Sequence, residues 1–292
     1  MDYSKLKGRP PFPFETIGVA VAFSPLLEGV LAEAQRLAEI FGAQLLLIHI
    51  GERTTGQEAA LSEIRERLGI NTPEVRVIWQ EGDPVTTLLE LCKQNSVDLL
   101  VLRARRRENV LRYYLGSVAR GICRAAKCSL LLLTDPRVSG TPFDTLVVSG
   151  VPNPKTIHTM NTAVYFAQYL GSKELTVVTE LDQPGLAMAM ADDSTAGQAS
   201  TIKRQFTSEA ANKAHALVSL CGPCAIHITE TIIPGRPGYA IRHYAESNHS
   251  DLLVINSPDA KYGLMDRIFT HDMEYILEEL PCSMLIVHSR PS

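Results

Sequence analysis

Short, nearly unbroken apolar runs alternate along the chain with stretches whose apolar residues recur every three or four positions. In the N-terminal half the runs are 17–22, 45–50, 75–79, 99–102 and 130–133. A strand apolar on both faces is one covered on both sides, as in a parallel sheet flanked by helices. Between the first two runs, Leu27, Leu31, Ala34, Leu37, Ala38 and Phe41 fall on one helical stripe. Residues 63–68, 85–93 and 110–126 supply three further helical stretches. This alternation predicts right-handed crossovers and a five-stranded parallel sheet.

The pattern then occurs again. Gly82-Asp83-Pro84, Asp98-Leu99-Leu100-Val101-Leu102 and Cys128-Ser129-Leu130 return as Gly235-Arg236-Pro237, Asp251-Leu252-Leu253-Val254-Ile255 and Cys282-Ser283-Met284, displaced by 153, 153 and 154 positions. Three landmarks at one displacement mark a duplication. Strands are expected at 145–149, 175–179, 225–233, 252–255 and 284–287, in domains spanning 1–138 and 139–292. The link falls at 136–142, where Gly140 and Pro142 interrupt regular structure. Residues 182–200, with Pro184, Gly185, Ser194 and Gly197, read as a mobile loop inserted before the second helix of the second copy.

A length of 292 residues suits two such domains, and 45% hydrophobic with 21% charged residues is a globular composition. A net charge of −4 gives no overall attraction for nucleic acid or anionic lipid, so a basic site must be local. No run approaches the roughly 18 apolar residues of a membrane helix. Six cysteines without a secretory signal fit a reducing compartment, and the expected location is cytoplasmic.

One local basic feature stands out. Arg103, Arg105, Arg106 and Arg107, with Arg112 close behind, follow the fourth strand at the carboxyl edge where open α/β sheets bind ligands. Gly116, Ser117 and Val118 open the next helix, whose terminal amides also favour anions. Guanidinium forks there suit a phosphate or nucleotide, although the same arginines also read as a solvated loop pairing with acids such as Glu108. Cys221-Gly222-Pro223-Cys224 reproduces a thioredoxin tetrapeptide but follows a helix and leads into a strand, so the helix dipole has the wrong sign for a reactive thiol. His215 and His227 flank it with zinc-ligand residue types, yet His227 belongs to an alternating strand, and no metal site is expected. Trp79, Tyr113 and Tyr114 read as packing. His271 and Asp272, adjacent on a helix, diverge by about 100° and form no acid–base couple. The sequence contains no G-x-S-x-G, P-loop or metalloprotease helix, and no catalytic role is expected.

The stretch 98–128 resembles the C-terminal half of a universal stress protein domain: Asp98-Leu99-Leu100-Val101, then Leu115-Gly116-Ser117-Val118-Ala119, then Lys127-Cys128-Ser129, echoed by Leu280-Pro281-Cys282-Ser283. The resemblance implies two Rossmann-like (adenine nucleotide alpha hydrolase-like) domains of strand order 3-2-1-4-5, paired through their last strands as a pseudo-dimer within the chain. It also implies a regulatory protein acting through a ligand or protein partner, with homodimers or regulation of a membrane transporter as family possibilities. ATP sites degenerate in both domains are expected, with adenine nucleotide or another phosphorylated molecule as the alternative ligand of the first. The two leading glycines of the family's phosphate loop are replaced here by Arg103 and Arg106, and the nearest counterparts of its adenosine-fixing Asp are Ala22 and Gly150. The second copy reads Asn256-Ser257-Pro258-Asp259 and Thr270-His271, which places an acid where a triphosphate would lie. Its ATP site is expected to be lost.

Overall fold

The structure is a computed structural model and describes residues 8–70, 72–106, 113–182, 196–221, 224–258 and 271–290. The first half contains β1 (Thr16–Ala20), α1 (Leu27–Phe41), β2 (Gln44–Ile50), α2 (Thr55–Arg67), β3 (Val75–Gln80), α3 (Pro84–Gln94) and β4 (Leu99–Arg103). Two-residue strands β5 (Arg105–Arg106) and β6 (Tyr113–Tyr114) precede α4 (Ser117–Ala125) and β7 (Ser129–Leu133). The second half contains β8 (Thr145–Ser149), α5 (Thr156–Leu170), β9 (Glu174–Asp182), α6 (Ala196–Ser219), β10 (Ile228–Gly235), α7 (Tyr239–Ser247), β11 (Leu252–Asn256), α8 (His271–Glu278) and β12 (Ser283–Val287).

The apolar stripe of α1 buries Leu27, Val30, Leu31, Ala34 and Leu37 against the sheet, and the helix stops at Gly42. Gly171 ends α5 in the same way; the two glycines sit at φ 65° and 68°, a left-handed cap that side chains resist. Asp83 caps α3, its carboxylate accepting from the Thr86 amide with Pro84 in the first turn, which accounts for the Gly-Asp-Pro signature. The second half has Arg236 at that place. There Glu180 of β9 supplies the carboxylate instead, accepting from the amides of Gly238 (3.0 Å) and Ile241 (2.8 Å) at the start of α7.

Each half is a parallel sheet of order 3-2-1-4-5, running β3-β2-β1-β4-β7 and β10-β9-β8-β11-β12. The two sheets join where β7 and β12 pair antiparallel with Leu131 opposite Leu285, giving one ten-stranded sheet. That pairing covers two edges that would otherwise be exposed and apolar. The seam is reciprocal: Ser129 Oγ accepts from the His288 amide (3.2 Å) and Ser283 Oγ from the Thr134 amide (3.3 Å). No described helix is long and apolar enough to cross a membrane.

Three expectations need correction. Residues 113–114 are not helical; they pair with Arg105–Arg106, and Tyr113 bridges Leu280 of the second half, so α4 starts only at Ser117. The loop expected at 182–200 is shorter. Asp182 still pairs with Gly235 and so extends β9, while Ala196 begins α6; 183–195 lie outside the described residues. The strand expected at 225–233 begins at Ile228, opposite Leu175, and runs to Gly235.

Candidate functional site

The strand order reverses between β1 and β4, and at the carboxyl ends of those strands a cavity of about 460 Å³ opens. Arg103 and Arg105 line it on one side, and Gly116, Ser117 and Val118 at the start of α4 on another. The topology thus brings five of the six expected residues together. Arg106 ends β5 and its side chain is not described; Arg107 and Arg112 lie outside the described residues.

Arg103 is half-buried, and its buried Nε finds no hydrogen-bond partner among the described residues. An orphaned buried donor costs about 1–3 kcal/mol and calls for an acceptor. A Cβ on Gly116 would meet Arg105 Cδ at 3.5 Å, so the stem of Arg105 lies over the start of α4. The cap of that helix is a glycine without a side-chain acceptor, and its first turn holds no acid. Two guanidinium groups and an uncapped helix N-terminus therefore line one space, a grouping whose chemistry favours an anion. Ala22 also lines the cavity, and no Asp or Glu does among the described residues.

Sequence reasoning missed His49, which is 9% exposed and lines the same cavity. Its Nδ1 lies 3.0 Å from the Val21 carbonyl oxygen, so Nδ1 carries the proton and, in the neutral ring, Nε2 is an acceptor. Phe23 and Trp79 fix the ring, with centroids 5.0 and 4.9 Å from it. A lone histidine near the end of an otherwise apolar strand was the available signal.

At the equivalent strand end of the second half, polar side chains bond one another. Asn256, the counterpart of Arg103 by strand register, donates through Nδ2 to Thr156 Oγ1 (2.9 Å) and accepts at Oδ1 from Thr159 Oγ1 (2.5 Å). Thr156 in turn donates to the Val151 carbonyl oxygen, and Lys155 Nζ reaches the Pro258 carbonyl oxygen. Asp259 and Thr270 lie outside the described residues.

The sequence profile of the universal stress protein family matches residues 13–134 and again 158–288. The chain belongs to the universal stress protein family. A universal stress protein from Archaeoglobus fulgidus superposes with a TM-score of 0.64 at 15% identity, covering 94% of this chain and 98% of its own. A functionally unknown protein from Pseudomonas aeruginosa gives 0.63 at 18% identity, covering 96% of this chain and 93% of its own. At such identities the likeness establishes the fold alone.

In this universal stress protein the remaining sequence motifs stay apart from the cavity. Cys221 Sγ donates to the Leu217 carbonyl oxygen (3.6 Å), and burial pushes its thiol up to about 11, away from a reactive thiolate. Cys224 Sγ contacts the Ile226 carbonyl oxygen (3.4 Å). His215 Nδ1 lies 3.2 Å from Glu230 Oε1 on β10, and His227 is exposed. Among the described residues no three His, Cys, Asp or Glu side chains form a metal-binding group. His271 begins α8, followed by Asp272, and neither side chain is described.

Proposed function

We propose that this universal stress protein is a ligand-responsive regulator whose first half binds a nucleotide or another phosphorylated small molecule and whose second half has lost that capacity. The observation that supports it is the convergence of Arg103, Arg105 and the start of α4 on one cavity, with Arg103 Nε unpartnered among the described residues. About 460 Å³ lies within the usual range for small-molecule sites, roughly 300–1,000 Å³. The guanidinium groups would hold the phosphate in place of the family's glycine amides. The apolar walls from Leu88 and Ile122, with the His49 acceptor, suit a planar base bearing an amino group. Adenine nucleotide is the leading candidate.

The test is a thermal-shift screen of ATP, AMP, cyclic AMP and inorganic phosphate at moderate salt. At about 100 times Kd, a ligand is expected to raise Tm by about 4 °C. The double substitution Arg103→Gln with Arg105→Gln should remove that shift. A screen in which no compound acts, or in which the variant responds undiminished, contradicts the reading.

A further inference from the structure

The duplication sets equivalent residues face to face at the seam. Leu131 pairs with Val101 and Leu285 with Val254, so the two leucines correspond, and they stand opposite each other where β7 meets β12. A pseudo-twofold axis therefore passes between them. We infer that the seam discriminates between partners: a first half accepts the acidic helix of a second half and rejects another first half, and Arg120, Arg124 and Glu274 supply the distinction.

The strands alone cannot discriminate. Their backbone pairing is blind to side chains, and Leu131 already meets its own equivalent. The bond from the His288 amide to Ser129 Oγ is matched by that from the Thr134 amide to Ser283 Oγ. Two first halves could make each of these contacts, which is the hazard an apolar edge strand carries.

The helices beside the strands differ. At the displacement of 154 positions shared by β7 and β12, Ile122 and Cys123 of α4 correspond to Ile276 and Leu277 of α8, and all four are buried. Arg120 then corresponds to Glu274. Across the seam the Glu274 carboxylate lies 2.7 Å from Arg124 Nη2 and 3.8 Å from Arg120 Nη1. One position of the repeat is thus basic in one copy and acidic in the other, and the two meet. In a pair of first halves, Arg120 and Arg124 would face a second Arg120 and Arg124, and α4 carries no acid to come between them. A twofold contact presents the same patch from both sides, so the repulsion could not be avoided.

The opposite face of the sheet makes a similar distinction. Gly42 and Gly171 end α1 and α5 alike, so Tyr165 and Tyr169 correspond to Arg36 and Ile40. Phe41 stacks on Tyr165 with centroids 5.3 Å apart and meets Tyr169 edge-on at 5.7 Å. Against another first half, Phe41 would meet Arg36 and Ile40 and lose both ring–ring contacts. Each paired unit consequently contains one arginine-lined cleft. That consequence rests on the proposed function; the discrimination itself does not.

Glu274→Arg recreates, inside the full chain, the basic-on-basic contact of two first halves. At low salt its Tm should fall by about 4 °C or more. Adding Arg120→Glu and Arg124→Glu reverses the other side as well and should recover at least half of the loss. In about 1 M NaCl the deficit of Glu274→Arg should shrink by half or more, because these partly exposed groups are then screened. If Glu274→Arg does not fold, the return of a folded chain in the triple variant reads the same recovery. A deficit below about 1 °C, a recovery of less than half, or a deficit indifferent to salt overturns the inference. All of these measurements are made without ligand, so their failure is distinct from failure of the thermal-shift screen.

Discussion

Arg103 and Asn256 end corresponding strands, opposite Leu133 and Val287, and their side chains stand in opposite hydrogen-bonding states. Arg103 Nε is buried without a partner among the described residues, whereas both ends of the Asn256 amide are engaged by Thr156 and Thr159. Among the described residues, one strand end leaves a donor unpartnered and the other satisfies its own polar groups.

Opposite stability effects follow at these two positions. Arg103→Met removes an orphaned donor and should leave the urea midpoint unchanged or raised, as functional residues held at a cost to stability often do. Asn256→Ala strands the Thr159 hydroxyl and takes one donor from that of Thr156, which keeps the Val151 carbonyl, and should cost about 1–2 kcal/mol. A loss above about 1 kcal/mol in Arg103→Met would show that its side chain is already satisfied.

Asp98 and Asp251 perform one structural task twice. Asp98 Oδ2 accepts from the amides of Glu15 (2.8 Å) and Thr16 (3.1 Å), and Asp251 Oδ2 from those of Asp144 (2.9 Å) and Thr145 (3.0 Å). Each carboxylate ties the start of its fourth strand to the start of its first. Asp251→Ala should cost about 2 kcal/mol in urea denaturation. Asp98→Ala should cost at least as much, because it also strips Arg290 of its ion-pair partner. Losses below about 0.5 kcal/mol in either variant would contradict this role.

The seam should make the two halves unfold together. Leu131 and Leu285 pair across it and are fully buried. Leu285→Ala should cost about 2–5 kcal/mol. Trp79, the chain's single tryptophan, lies in the first half and reports on it by fluorescence. The Trp79 transition should shift with the circular dichroism transition and remain coincident with it. A fluorescence transition that stays at the wild-type midpoint would mean the halves are uncoupled.

His158 on α5 contributes a pH dependence. It is 4% exposed, its Nδ1 lies 2.6 Å from Ser289 Oγ, and burial pushes its pKa below the ordinary histidine value. Below about pH 6.5 the unfolded chain binds the proton while the native chain resists it. Stability is therefore full above that pH and declines as pH falls toward the folded pKa. Between about pH 7.5 and about pH 5.5, Tm should fall further in the wild type than in His158→Gln. Parallel pH profiles would contradict this.

Much of the architecture was legible because a strand covered on both faces has to be apolar almost throughout, as 45–48 and 130–133 are. The duplication was legible from Asp98 and Asp251, whose shared hydrogen-bonding task explains why the signature persists in both halves. The helix expected at 110–126 failed because Tyr113 and Tyr114 answer to tertiary partners, Arg105–Arg106 and Leu280, over local periodicity. Arg103, Arg105 and Gly116 were readable as crevice residues because topology places whatever follows the fourth strand there. His49 offered only its polarity in an otherwise apolar strand. Its equivalence to Thr179 comes from pairing register between strands, and no spacing along one strand reveals it.

The claim that one half of the duplication keeps an anion cleft and the other has lost it is tested most directly by stoichiometry. Isothermal titration with the tightest-binding nucleotide from the thermal screen should give one ligand per chain, lost in Arg103→Gln with Arg105→Gln and retained in Asn256→Ala. Two ligands per chain, or one that survives the arginine substitutions, would contradict the account.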